Sequence, residues 1–159
     1  MESDSQLRSI KAKPVSNKVL LVVAAALIDI PSKTVLLAER PSKKHLEGLY
    51  EFPGGKVEPD ESPEEALVRE LREELGIHVE SKNLYPLTFA SHSYEEKGFH
   101  LLMPLYACSS WEGKADGKEN QRLVWCSTSQ IQDDTYKMPP ADYPLIKPLV
   151  KYMESLFSS

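Results

Sequence analysis

The sequence predicts a single α+β domain. Strand-like apolar runs recur at residues 19–28, 34–38, 84–90, 99–108 and 123–126. Two further segments, 63–75 and 145–156, repeat their apolar residues with helical spacing. No internal repeat or long linker divides the 159 residues, and 41% hydrophobic content is enough for one core.

Residues 1–17 are polar, rich in Ser and Lys, and read as a flexible tail ahead of a domain spanning 18–159. The run 19–28 follows Lys11, Lys13 and Lys18 and has the look of a signal-peptide core. It is too short to span a bilayer as a helix, and several of its residues are β-branched. A turn at Pro31-Ser32-Lys33 and a second strand-like run follow it, so a buried hairpin is the expectation. Arg40 to His45 form a basic loop, and Pro53, Gly54, Gly55, Pro59 and Asp60 mark residues 51–60 as loop. The first helix is clearly punctuated: Ser62 can cap it, Pro63 fits its first turn, Glu65 completes a capping box and Gly76 ends it. The last helix should place Leu145, Ile146, Leu149, Val150, Met153 and Leu156 on one face, with Pro148 disturbing its first turns.

A net charge of -5 argues against a nucleic-acid polymer or a membrane surface as partner. Cys108 and Cys126 fit no metal spacing, suit a reducing cytoplasm, and are expected to pack as small apolar residues.

The stretch from Glu51 to Ile77 is crowded with glutamates, although like charges one helical turn apart repel. On a helical wheel Leu67, Val68, Leu71 and Leu75 make an apolar stripe, while Glu70, Glu73 and Glu74 share an adjoining face. Three acids alone read as a solvated face. These crowd the last turns, where the helix dipole disfavours negative charge. A hard divalent cation such as Mg²⁺ would turn the repulsion into a seat for a phosphate compound.

The same residues resemble the signature of the Nudix hydrolases, G-x5-E-x7-R-E-U-x-E-E-x-G-U with U aliphatic. Gly55, Glu61, Arg69, Glu70, Leu71, Glu73, Glu74, Gly76 and Ile77 fill every position. Glu51-Phe52-Pro53-Gly54-Gly55-Lys56, Trp111-Glu112-Gly113, Gly117-Lys118-Glu119 and Pro140-Ala141-Asp142 extend the resemblance to the MutT-type subgroup and the related CTP-type pyrophosphohydrolases. That resemblance implies an α/β/α sandwich with a mixed sheet and a loop-helix-loop. It implies a monomeric, metal-dependent enzyme, served by Mg²⁺ or Mn²⁺. A nucleoside triphosphate, 8-oxo-dGTP first and a cytidine nucleotide second, would be cleaved to monophosphate and pyrophosphate. The biological role implied is sanitation of the nucleotide pool.

By the same resemblance Glu70, Glu73 and Glu74 bind metal, with the Gly55 carbonyl and Glu119. Glu70 helps to orient or deprotonate the attacking water, and Arg69 with Glu61 orients the carboxylates. Arg40, His45, Phe52 and Asp142 are the substrate-side candidates. Each has a plainer alternative. Glu119 could be a solvated loop acid, His45 a surface histidine, and Phe52 a core aromatic. Asp142 departs from the Asn that MutT-type enzymes can carry; if ionised it only accepts hydrogen bonds, and it could equally be the N-cap of the last helix. Tyr94 is placed where some dinucleoside polyphosphate hydrolases have a tyrosine. A Nudix-fold module that binds nucleotides without turnover is the remaining alternative.

Overall fold

The computed structural model describes residues 18–41 and 46–158, so the tail 1–17 and His45 lie outside the described residues. The chain opens with strand β1 (Val19–Asp29), a turn, and β2 (Thr34–Glu39). Two short strands follow, β3 (Tyr50–Glu51) and β4 (Gly54–Lys56), then helix α1 (Pro63–Leu75). Strands β5 (Tyr85–Tyr94), β6 (Phe99–Cys108) and β7 (Leu123–Ser127) complete the sheet. A short helix α2 (Thr128–Gln132) and the terminal α3 (Tyr143–Phe157) end the chain.

The sheet is mixed, in the order β3-β2-β1-β6-β5, with β4 on β1 and β7 on β2. Strand β1 runs parallel to β6 and antiparallel to β2 and β4. Residues 23–28 of β1 are all buried because both faces of the strand are covered. Val23, Ala25 and Leu27 pack with Leu67, Leu71 and Leu75 of α1. Ala24, Ala26 and Ile28 pack with Leu145, Leu149 and Met153 of α3. The layers are therefore α1, sheet, and α2 with α3. The apolar run that resembled a signal peptide is this doubly covered strand. Among the described residues no helix is long and apolar enough to cross a membrane.

Helix α1 has the punctuation expected of it. Ser62 Oγ accepts the Glu65 N–H at 3.1 Å, the Glu65 carboxylate accepts the Ser62 N–H at 3.3 Å, and Gly76 closes the helix at φ 70°. Leu67, Leu71 and Leu75 are fully buried, each contributing about 1.5–3 kcal/mol.

Two expectations need correction, one short helix had no sequence signal, and one proline is accommodated within a helix. Residues 51–60 are not all loop. Gly54 and Gly55 pair with Ala24 and Val23, and Glu51 pairs with Ala38. Such close pairing is open only to glycine at 54, where an added Cβ would stand 1.9 Å from the Val23 carbonyl oxygen. Strand β5 continues past Ala90 to Tyr94. Its Ser91 and Ser93 are exposed, alternating with Ala90, His92 and Tyr94 on the other face, so this half carries no continuous apolar signal. The short helix α2 carries its own capping box from Ser127 and Gln130, in a segment with too few turns to show a periodicity. Pro148 sits inside α3, which nonetheless runs on to Phe157. A proline removes one N–H from the ladder, and burial of Leu145, Leu149, Val150 and Met153 holds the helix across it.

Gly54→Ala is expected to destabilise the fold by more than ~3 kcal/mol, since the obstructing atom is backbone. Ser62→Ala should cost only about 1 kcal/mol. Urea unfolding of the two variants beside the parent checks the ranking.

Candidate functional site

A cleft of about 670 Å³ opens between β4, the face of α1 that carries its glutamates, and the segment leading into α3. It has two chemically distinct ends.

One end is acidic. Strand β4 passes so close to α1 that a Cβ on Gly55 would stand 2.4 Å from the Glu70 carboxyl carbon. Arg69 organises this end. Its Nε donates to Glu61 Oε2 at 3.0 Å and its Nη2 donates to Glu61 Oε1, a two-pronged grip. Its Nη1 donates to Glu70 at 2.9 Å and to Glu73 at 3.3 Å, and Nη2 also donates to the Lys56 carbonyl at 3.1 Å. One guanidinium thus ties the loop before α1, strand β4 and two helix carboxylates together, and it holds Glu61 below the usual glutamate range.

Glu70 is raised, chiefly by burial, with Arg69 opposing and the charges of Glu73 and Glu119 adding. Glu74 is pushed up to about 8, first by burial and then by the charges of Glu70, Glu51 and Glu119, with the Gly54 backbone N–H opposing. Glu73 and Glu119 are exposed at the rim, and both line the cleft. Among the described residues no three His, Cys, Asp or Glu side chains are gathered into a ready-made metal cage. The donors are nevertheless all oxygen, all converge on one cleft, and crowd until one carboxyl keeps its proton near neutrality. That chemistry fits a hard divalent cation.

The other end is largely apolar, lined by Leu20, Phe99, Leu101 and Met103 with Asp142 among them. Asp142 is 4% exposed, and its Oδ2 has no hydrogen-bond partner. It stands at the N-cap position of α3 but makes no capping bond, so the helix-cap alternative is set aside. The Phe52 backbone N–H is directed to its carboxylate. Burial, and secondarily the charge of Glu51, pushes Asp142 well above the usual aspartate range. Such a shift favours the neutral form, which accepts on one oxygen and donates from the other, over the ionised form, which only accepts. Phe52 is 4% exposed and belongs to the core beside α3, so its ring is a core aromatic whose backbone serves the cleft.

Arg40 Nη1 donates to Glu51 at 2.7 Å on the cleft wall. Glu51 was not singled out from sequence, yet it stands between the two ends, close enough to raise both Glu74 and Asp142. Its place next to Phe52 was the only signal, and pairing with Ala38 of β2 decides which way it faces. Tyr94 also lines the cleft, packed on Phe99 with ring centroids 5.3 Å apart. Gln121 is a further lining residue that sequence reasoning passed over.

Residues 20–149 match the NUDIX domain. The chain belongs to the Nudix hydrolase family. It is 42% identical over 128 residues to a CTP pyrophosphohydrolase of Escherichia coli, covering 80% of this chain and 90% of that protein. It is 35% identical over 129 residues to the 8-oxo-dGTP diphosphatase of Escherichia coli, covering 81% of this chain and 95% of the relative. The solution structure of the E. coli ORF135 protein superposes with a TM-score of 0.72 at 36% identity, over 87% of this chain and 93% of that one. Nudix hydrolases of this type work with divalent cations, and the acidic end of the cleft is where this Nudix chain has the donors for one.

The Nudix helix should leave a pH signature. Glu74 ionises near 4.5 in the unfolded chain and near 8 in the fold. Between those values the folded state keeps a proton that the unfolded chain has lost, so stability falls as pH rises through the window and levels off above it. Without metal, urea unfolding between pH 6 and 7.5 should show a Glu74 component approaching roughly 1 kcal/mol per pH unit, absent in Glu74→Gln. Millimolar Mg²⁺ should raise the melting temperature more at pH 8 than at pH 6, because protons and cation compete for the same carboxylates.

Proposed function

We propose that this Nudix hydrolase is a Mg²⁺-dependent nucleoside triphosphate pyrophosphohydrolase, with Mn²⁺ as an alternative ion, that takes 8-oxo-dGTP and releases the monophosphate and pyrophosphate. One observation carries the reading. The carboxylates of α1 and the buried Asp142 with its unpartnered oxygen line the same cleft, which supports a reading in which the polyphosphate meets the first and the base the second.

At the acidic end Glu70, Glu73, Glu74, Glu119 and the Gly55 carbonyl would hold the cation. When bound, it would neutralise phosphate charge and acidify a coordinated water. Glu70 would be the group to orient or deprotonate such a water: it is half-buried, raised by burial, and hydrogen-bonded to Arg69. Arg69 itself points its donors at carboxylates and at the Lys56 carbonyl, so its role is to orient rather than to touch substrate. Arg40, paired with Glu51, offers positive charge on the wall between the two ends.

At the far end a neutral Asp142 can accept the N7–H that oxidation at C8 creates and donate to O6 of the same base. The same pair of atoms can accept from N4 of cytosine and donate to N3. That equivalence, with the relative named for CTP, favours a cytidine nucleotide as the second reading.

Release of pyrophosphate from a panel of 8-oxo-dGTP, dGTP, CTP and dCTP, with and without Mg²⁺, tests the function. Glu73→Gln and Glu74→Gln should each lower turnover by at least ~10²-fold while the protein still melts cooperatively. Binding without metal-dependent hydrolysis of any member would sink the enzymatic reading.

Base selection has its own test. Since an amide carries the same donor and acceptor as a neutral acid, Asp142→Asn should keep the preferred base. Asp142→Leu should lose roughly 10–100-fold in relative kcat/KM, because base groups stay unpaired in an apolar pocket. Equal changes for every nucleotide in Asp142→Leu would remove Asp142 from base recognition.

A further inference from the structure

A helix leaves its last carbonyls without intrahelical partners. In α1 two of these are taken by the segment between β6 and β7. Lys118 N–H donates to the Glu74 carbonyl at 2.9 Å, and Asp116 N–H donates to the Leu75 carbonyl at 3.0 Å. Just beyond the helix, His78 and Glu112 exchange both backbone hydrogen bonds, at 3.0 and 2.9 Å. The segment is therefore stapled to the end of the helix that carries Glu70, Glu73 and Glu74. Gly76 leaves room for it: an added Cβ would stand 2.6 Å from Lys118 Cε.

Glu119 is the residue after the staple. It is exposed, and its charge reaches Glu70 and Glu74. An exposed acid on a long loop would ordinarily sample many directions. Here the backbone at 119 is gripped from the other side. Gln121 is half-buried in the cleft wall, and its Oε1 accepts the Glu119 backbone N–H at 2.9 Å. Asn120 turns the chain at φ 61° and donates its N–H to the Gly117 carbonyl at 3.1 Å. The turn is tight enough that a Cβ on Gly117 would meet the Gln121 carbonyl oxygen at 2.3 Å and its Oε1 at 3.0 Å.

We propose that Gln121 is a positioning residue of the metal site. By accepting the Glu119 N–H inside a turn stapled to the end of α1, it holds the Glu119 carboxylate across the cleft from Glu70 and Glu74. The inference rests on the reading of Glu119 as a metal-binding carboxylate, and it assigns Gln121 no contact with substrate. Gly117 is part of the same device, because only a residue without a side chain lets the turn close on Gln121.

Mn²⁺ binding to the full chain without nucleotide, followed by the electron paramagnetic resonance signal of the free ion, separates the possibilities. Melting temperatures are measured in parallel. Gln121→Leu removes the acceptor at similar size and should weaken Mn²⁺ binding about tenfold, the scale of losing a support behind a ligand, with a melting temperature close to the parent's. Gly117→Ala, which forces the turn apart and leaves the acceptor in place, should weaken it too. The decisive comparison is the double variant Glu119→Gln with Gln121→Leu. If Gln121 acts through Glu119, the double variant binds Mn²⁺ no worse than Glu119→Gln alone. Parent-like binding in Gln121→Leu, additive losses in the double variant, or weakening matched by a fall in melting temperature would each overturn the proposal. Parent-like binding in Glu119→Gln would instead remove Glu119 from the metal site, and with it the premise.

Discussion

Arg69 is the contact on which the acidic end depends. A helix with Glu70, Glu73 and Glu74 on one face carries repulsion that its own backbone cannot offset, and the helix dipole adds to it at the C-terminal end. The guanidinium answers part of that charge. It also ties the helix to Glu61 in the preceding loop and to the Lys56 carbonyl of β4. Because β4 pairs with β1, the central strand of the sheet, the carboxylates are referenced to the core rather than to a mobile surface. The apolar stripe of α1, buried against Val23, Ala25 and Leu27, supplies the energy that keeps so acidic a helix seated.

Unbalanced charge remains, and its distribution gives the cleft its polarity. Arg69 reaches Glu70 and Glu73, whereas Glu74 lies deeper among Glu70, Glu51 and Glu119. A carboxyl placed there either keeps a proton or meets a cation. Further along the same wall, Glu51 is paired with Arg40, and its charge adds to burial in raising Asp142. The electrostatics of the acidic end and of Asp142 are thus linked through one residue of the shortest strand, β3. A cation drawing charge from Glu74 and a base pairing with Asp142 would both act on the surroundings of Glu51.

The fold was legible where local rules and tertiary packing agree. Ser62, Pro63, Glu65 and Gly76 mark the ends of α1 by hydrogen bonds made within a few residues of each other, so no distant partner is needed to read them. The apolar runs at β1, β2 and β6 were legible because burial on both faces of a strand leaves an unbroken hydrophobic record. Strands β3 and β4, and the far half of β5, were not. Glycine pairing has no side-chain signal, and the far half of β5 puts Ser91 and Ser93 on its exposed face.

By itself the sequence determined that Glu70, Glu73 and Glu74 share a helix face and that Gly55, Glu61 and Arg69 accompany them at fixed spacing, a pattern whose resemblance to the Nudix signature implies a metal-dependent reaction on a phosphate compound. The shared face and its repulsion are consequences of helical geometry and charge, which operate over a few residues. Only the tertiary structure decided that Asp142 is buried and biased toward its neutral form rather than a helix cap, that Phe52 turns its ring to the core, and that Glu51 and Gln121 belong to the cleft. A carboxyl's protonation and a side chain's direction depend on desolvation and on partners brought from distant parts of the chain, such as the Phe52 N–H that meets Asp142. No local pattern encodes those distances, because they exist only after the layers have packed.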